Sequence, residues 1–191
     1  MHLPSSNPRD AAEDIYFGQV VIIWARWFVI LAAAILALWS SSDTGDLAGR
    51  AALVIAMMGV NFFLHGRSLM ERPANGRLLL AIGAADLVAV GVMVAFWGPG
   101  GHESKLYVLY YPLIFAIALV FAPRLTLLYA AFAIGGYLAI CLIHDPSLLA
   151  QTEAAKAVAI RVITLVATAG LGAYYWRIQR DRRTAGLAIG L

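Results

Sequence analysis

Long runs of apolar residues dominate the chain, and six of them approach the length that crosses a membrane. They occupy residues 20–39, 51–65, 78–97, 106–122, 125–143 and 158–176. A helix needs roughly 20 apolar residues to cross the hydrocarbon layer, so the second run is the weakest candidate. The runs lack the alternating polar residues of a barrel strand. The pattern therefore predicts an all-α, polytopic membrane protein, a bundle of six transmembrane helices.

The segments between the runs indicate how the bundle is oriented. Basic residues are concentrated in the segments that would lie on the same side as the N-terminus, among them Arg67, Arg77 and Arg124. Short loops rich in Lys and Arg remain cytoplasmic, which predicts cytoplasmic N- and C-termini. Trp97 and Trp176 close two of the runs, as expected for interfacial aromatic side chains.

The amino-acid composition agrees with the prediction of a membrane protein. The chain is 62% hydrophobic and 13% charged, whereas soluble domains carry about 25% charged residues. The single cysteine, Cys141, excludes a disulfide within one chain. We find no nucleophile–base pair, phosphate-binding loop or nucleic-acid signature. The lipid bilayer is the expected partner, and no nucleic acid is expected.

The runs divide the chain into three parts. Residues 1–19 form a polar, cytoplasmic N-terminal segment, residues 20–176 the transmembrane domain, and residues 177–191 the start of a cytoplasmic signalling helix. This last segment is basic and contains no proline, so the sixth helix is expected to continue through it. We expect a soluble output domain to follow.

Two charged residues and an asparagine lie inside the predicted spans. Arg26 and Asp86 fall ~9 Å and ~12 Å from the cytoplasmic ends of spans one and three, and Asn61 lies at a similar depth in span two. Ionisable groups at such depths are costly and often functional. One hypothesis is a polar cluster that binds a ligand or switches between two packings. The alternatives are an Arg–Asp pair that only fixes helix packing, or an Arg26 that reaches back to the inner surface.

The outer ends of the spans carry histidine and tyrosine. His102 and His144 lie in outer loops and are candidates for a metal site or a pH response, although their spacing matches no compact metal motif. Tyr110 and Tyr111 open the fourth span and are candidates for a pocket that takes a lipophilic ligand such as a quinone, or for an interfacial belt. A haem held by the two histidines is a further alternative.

A stripe of polar and small residues runs along the sixth span. Its members recur at helical spacing and are Arg161, Thr164, Thr168, Gly172 and Tyr175. Such faces mark helix–helix packing. The pattern leaves open whether this face packs within one subunit or in a homodimer.

Several short motifs follow one another in order along the chain. They are Ala25-Arg26-Trp27, Asn61-Phe62-Phe63, Ala85-Asp86-Leu87, the glycine-rich loop of residues 98–106, and Tyr110-Tyr111-Pro112-Leu113. This order resembles the six-span membrane sensor regions of bacterial signalling proteins, chiefly sensor histidine kinases and some diguanylate cyclases. Similar regions also precede adenylyl cyclases. The resemblance implies a multi-pass protein of the bacterial inner membrane, and in redox-sensing kinases of this build it implies quinone as a ligand.

Together these features predict a sensor domain without a catalytic site of its own. It would detect a stimulus or a small lipophilic ligand and relay it through the last helix, most simply within a homodimer, to a histidine kinase or nucleotide cyclase. The alternatives are a small membrane transporter or channel and a membrane haem protein.

Overall fold

The chain forms a helical bundle in a computed structural model, which describes residues 8–40, 44–70, 74–97 and 99–189. Side chains are described for residues 18–39, 46–70, 74–97 and 99–178. No strand occurs in these ranges. The α-helices are α1 (Pro8–Ser40), α2 (Thr44–Leu69), α3 (Gly76–Phe96), α4 (Tyr110–Val120), α5 (Pro123–His144) and α6 (Thr152–Ile189).

The surface of the bundle is the clearest sign of a membrane protein. Within the described residues, five helical segments are long and apolar enough to cross a bilayer: Gly18–Trp39, Asp46–Leu69, Gly76–Phe96, Pro123–His144 and Thr152–Ile178. Large apolar side chains point outwards along them; Phe28, for example, is 65% exposed. Arg26, Asn61 and Asp86 are instead buried. In water such a surface would aggregate, whereas hydrocarbon solvates it. The chain is a multi-pass helical membrane protein.

The fourth predicted span is shorter than a full membrane helix. The sequence predicted one helix over 106–122, but the structure has a 3-10 segment, Lys105–Leu109, followed by α4. Ser104 begins the 3-10 segment, since its Oγ accepts a hydrogen bond from the Leu106 N–H at 3.3 Å. Pro112 lies in the first turn of α4, where its missing N–H is tolerated. The two segments together extend ~26 Å.

Contacts between helix ends show that successive helices alternate in direction. The Tyr129 hydroxyl, near the start of α5, donates to the Leu80 carbonyl near the start of α3 at 2.6 Å. The loop after α3 packs at Gly101 against Cys141, near the end of α5. Helix α4 therefore leads from the end of α3 back to the side on which α3 begins.

Helix α4 lies at the centre of the bundle and packs against α1, α3, α5 and α6. Its closest neighbours approach through glycine. A Cβ on Gly172 of α6 would collide with the Cβ of Ala118, and one on Gly18 of α1 would lie 2.7 Å from Val120. Helix α2 lies at the edge of the bundle and packs mainly on α1.

Helices α2 and α6 are longer than their apolar runs. The apolar run of α2 covers residues 51–65, but the helix also includes the charged residues on either side of it. Arg50 is accommodated because its Nε donates to Asp46 Oδ1 at 3.0 Å and its guanidinium lies 5.7 Å from the Trp97 ring. Helix α6 has 38 residues, or ~57 Å, and continues past residue 176, where its apolar run ends, as the proline-free sequence predicted. The side chains of Arg180, Arg182 and Arg183 lie outside the described residues.

Candidate functional site

A buried ion pair joins the first three helices. The Arg26 Nη1 donates to Asp86 Oδ2 at 2.7 Å, and these residues are 1% and 3% exposed. The Arg26 Nη2 donates to the Met57 carbonyl at 3.1 Å. Arg26 lies ~12 Å along the apolar segment that begins at Gly18, and its side chain bonds to α2 and α3 instead of extending to the surface. The two charges predicted to meet are thus in direct contact.

Asn61 lies on the same α1–α2 interface but bonds differently. Its Nδ2 donates to the Ile23 carbonyl at 3.3 Å, so its partner is a backbone group of α1. Among the described residues, neither Asn61 Oδ1 nor Arg26 Nε has a hydrogen-bond partner, although both atoms are buried. Most buried polar atoms are hydrogen-bonded, which makes these two atoms unusual.

Gln19 extends this interface and was missed by the sequence reasoning. Its Nε2 donates to the Leu64 carbonyl at 2.8 Å, and its Oε1 accepts from the Ala74 N–H at 2.6 Å. Gln19, Ile23 and Arg26 follow one another on one face of α1. They face Leu64, Asn61 and Met57 of the antiparallel α2. The signal was a polar residue seven positions before Arg26, just outside the predicted span.

We call Gln19, Arg26, Asn61 and Asp86 the inner polar cluster. It contains one cation, one anion and two amides, and all four side chains are buried. Removing one charge would leave the other in an apolar interior, so the pair strongly favours helix arrangements that keep both residues together. The cluster thus ties α1, α2 and α3 together through side chains.

An open cleft separates α2 from α3 above the ion pair. It has a volume of about 320 Å³ and reaches Arg26 and Asp86 at its floor. A second opening of about 390 Å³ lies towards the ends of the two helices, near Arg50 and Trp97. Leu53 lines both, so the two openings are neighbours along α2.

A second cationic centre lies at the opposite end of the bundle. Arg161 of α6 donates through Nη1 to the His102 carbonyl at 2.5 Å and to the Tyr137 hydroxyl at 2.8 Å. Its guanidinium lies 4.1 Å from the Tyr107 ring, which contacts Tyr111 edge-on at 6.0 Å. We call these five residues the outer Arg161 cluster. It fastens α6 to α5 and to the loop after α3.

The two candidate tyrosines have different environments. Tyr111 is half-buried within the outer Arg161 cluster, while Tyr110 is fully buried in the core. The Tyr110 hydroxyl lies against Gly91 of α3. The structure therefore does not bring both tyrosines to one pocket. Tyr137, which the sequence reasoning missed, takes part in the cluster instead.

Both candidate histidines were expected in loops, but His144 is the last residue of α5, and His102 lies in the connection after α3. The His144 ring packs over Gly100 and Gly101, whose positive φ angles of 72° and 53° favour glycine. Across the described residues there is no group of three or more His, Cys, Asp or Glu side chains that could hold a metal. A metal or haem at His102 and His144 stays a prediction, with no further ligand seen.

Asp145 follows His144 in an exposed turn. Its Oδ1 accepts from the Ser147 hydroxyl at 2.6 Å and from the Ser147 N–H at 3.0 Å. The hydroxyl contact, the backbone contact and nearby His102 lower the pKa of the Asp145 carboxyl below its usual value. The turn therefore favours a carboxylate at neutral pH.

The stripe on α6 packs partly within the subunit. Gly172 lies against Ala118 of α4. The hydroxyls of Thr164 and Thr168 donate to carbonyls one turn earlier in α6, at 2.7 and 2.8 Å. Close packing at Gly172 thus serves the bundle itself, and a homodimer face on α6 stays a prediction.

Comparison with known proteins does not assign the chain to a family. No protein-family model, curated protein or solved structure matches the chain. The resemblance to membrane sensor regions therefore stays a prediction.

Proposed function

We propose that the chain is a membrane-embedded sensor domain that relays a stimulus through α6 to a cytoplasmic output domain. The observation that carries this is the length and anchoring of α6. It is one continuous helix of 38 residues, ~57 Å long, against a hydrocarbon thickness of ~30 Å. Arg161 fastens its first part to the loop after α3 and to α5. A movement at the outer loops would therefore shift the far end of the same helix.

The proposed topology has six crossings and cytoplasmic termini. The 3-10 segment and α4 together extend ~26 Å, close to the thickness of the hydrocarbon layer. The alternating direction of the helices also fits six crossings. The distribution of arginine supports cytoplasmic positions for both termini. By this proposal the protein lies in a bacterial inner membrane and acts as a homodimer.

The inner polar cluster is the proposed bistable element. Arg26 contacts α2 and α3 at once, so two packings that differ in those contacts would differ in free energy. A stimulus acts only if it interacts differently with the two packings. The output domain would be a histidine kinase or a nucleotide cyclase.

The test is a fusion of the chain, through α6, to a diguanylate cyclase reporter. Arg161→Gln removes a cation that donates to two oxygens. Charged hydrogen bonds contribute about 1.5–3 kcal/mol, which corresponds to about tenfold or more in a two-state equilibrium. We expect cyclase output per molecule of protein to change by about that factor. Asp86→Asn, which neutralises the partner of Arg26, is also expected to change it.

The matched control is Lys156→Gln on the same helix. Lys156 is exposed and pairs with Glu153, at 2.9 Å. Surface pairs contribute little, so output should remain at the wild-type level. If Arg161→Gln and Asp86→Asn both leave the output and the protein level unchanged, the relay proposal is wrong.

A further inference from the structure

The cleft between α2 and α3 has walls suited to a slender apolar molecule. Ala81, Ala85 and Ala89 are spaced four residues apart and form one smooth wall on α3. Ala56 and Val60 contribute the facing wall on α2, and both are exposed. The volume of about 320 Å³ falls at the lower end of small-molecule sites, which span about 300–1,000 Å³.

The floor of the cleft holds an unused hydrogen-bond donor. Arg26 lines the cleft and is 1% exposed. Two of its nitrogens bond to Asp86 and Met57, but its Nε has no acceptor among the described residues. An unmatched donor in an apolar interior is costly, so an incoming oxygen would gain more here than at a satisfied site.

Charge restricts what such a molecule can be. The Arg26–Asp86 pair is neutral as a whole and is buried. An anionic ligand would be repelled by Asp86 and a cationic one by Arg26, and neither charge would be solvated at this depth. A neutral molecule with an acceptor oxygen avoids both costs.

We propose that the α2–α3 cleft binds a neutral lipophile whose ester or ketone oxygen accepts a hydrogen bond from the Arg26 guanidinium. The apolar body lies along the alanine wall of α3. Because Nε is enclosed, it meets the oxygen as the guanidinium turns towards the cleft, which lengthens the bond from Nη2 to the Met57 carbonyl beyond its present 3.1 Å. Binding therefore weakens the hold of α1 on α2. The link from this weakened contact to the output rests on the proposed sensor function, whereas the binding itself does not.

The experiment uses the chain in lipid nanodiscs and three photoreactive probes of equal length. They are a long-chain methyl ester with a diazirine beside the ester, the matching alkane, and the matching fatty acid held as its carboxylate. Cross-links are mapped by mass spectrometry. We expect the ester to label α2 and α3 at the cleft in a saturable way that unlabelled methyl ester competes away. The alkane should label all lipid-facing helices without saturation.

Variants separate the cleft from the general lipid-facing surface. Ala85→Leu and Ala56→Leu fill it from opposite walls, and each should lower saturable ester labelling at least tenfold. Ala139→Leu on the exposed face of α5 is the control and should leave it unchanged. Arg26→Met combined with Asp86→Ala removes the guanidinium donor together with its counter-charge, so the preference for ester over alkane should vanish.

Three outcomes would overturn the assignment. They are ester labelling that does not saturate, labelling that survives both leucine variants, and saturable labelling by the carboxylate but not by the ester. The cyclase fusion is a separate measurement. Ester binding with no effect of either Arg161→Gln or Asp86→Asn on output would retain the site and reject the relay, whereas the reverse result would retain the relay and reject the site.

Discussion

Replacing Asp86 by alanine tests how much the inner polar cluster depends on its ion pair. The substitution leaves Arg26 charged and 1% exposed, with the Met57 carbonyl as its remaining acceptor. Breaking a buried pair in a soluble protein costs about 3–5 kcal/mol, and a lone charge at the centre of a membrane helix costs about 2.5–3.5 kcal/mol on insertion scales. We therefore expect Asp86→Ala to lower the free energy of unfolding by about 2–4 kcal/mol.

The double variant shows whether the cost comes from the orphaned charge. Arg26→Met together with Asp86→Ala removes both charges and retains apolar volume in place of the guanidinium. Replacing a buried pair by apolar residues is often neutral. The double variant should therefore lie within about 1.5 kcal/mol of wild type, an allowance that includes the lost bond to Met57. The coupling energy of the cycle should then exceed about 1.5 kcal/mol.

The assay is reversible unfolding by dodecyl sulfate in mixed micelles. The Trp27 ring contacts Phe62 of α2 edge-on at 5.2 Å, so its fluorescence reports separation of α1 from α2. The measurement uses a variant in which the other tryptophans are replaced by phenylalanine. The cost does not come from an orphaned charge if the costs of Arg26→Met and Asp86→Ala simply add, or if Asp86→Ala costs less than about 1 kcal/mol.

Two further predictions concern packing and pH. Gly172→Ala should destabilise the bundle by about 1–3 kcal/mol, because the new Cβ meets Ala118. Gly170→Ala is the control and should not destabilise it, because a Cβ there has nothing within 4 Å. Equal effects of the two substitutions in the same unfolding assay would contradict this. Ser147→Ala should raise the pKa of Asp145 towards its usual 3.8, as followed by carboxyl NMR. Because folding lowers this pKa, the turn is stabilised above pH 3.8 and loses that support as pH falls through the lowered pKa; an unchanged titration in Ser147→Ala would reject the hydroxyl as its cause.

The charged half of the inner polar cluster could be predicted from sequence for a simple reason. Charges inside apolar runs are few, so Arg26 and Asp86 at similar depths had few other partners to choose from. The backbone acceptors of Arg26 and Asn61 could not be predicted. Every residue has a carbonyl, and only packing decides that Met57 and Ile23 supply the ones that are used.

Gln19 and Tyr137 were missed because ordinary alternatives explain them equally well. A glutamine beside the predicted end of a span is usually solvated. A tyrosine inside an apolar run is usually a core residue whose hydroxyl finds a nearby partner. Their roles depend on helix register, which places Gln19 against Leu64 and Tyr137 against Arg161. Likewise, the 3-10 start of the fourth span reflects Ser104 as a cap, a local feature that an apolar run does not reveal.

The two cationic centres lie in different parts of the bundle, and α4 connects those parts. Arg26 belongs to α1 and Arg161 to α6, and each of these helices packs against α4. The contacts at Gly18 and Gly172 leave no room for a methyl group. Tightly packed interfaces shift between discrete arrangements more readily than they deform, so a displacement of α1 must either be absorbed at α4 or passed to α6. Enlarging Gly172 should therefore alter the response of the cyclase fusion to Asp86→Asn, whereas enlarging Gly170 should not.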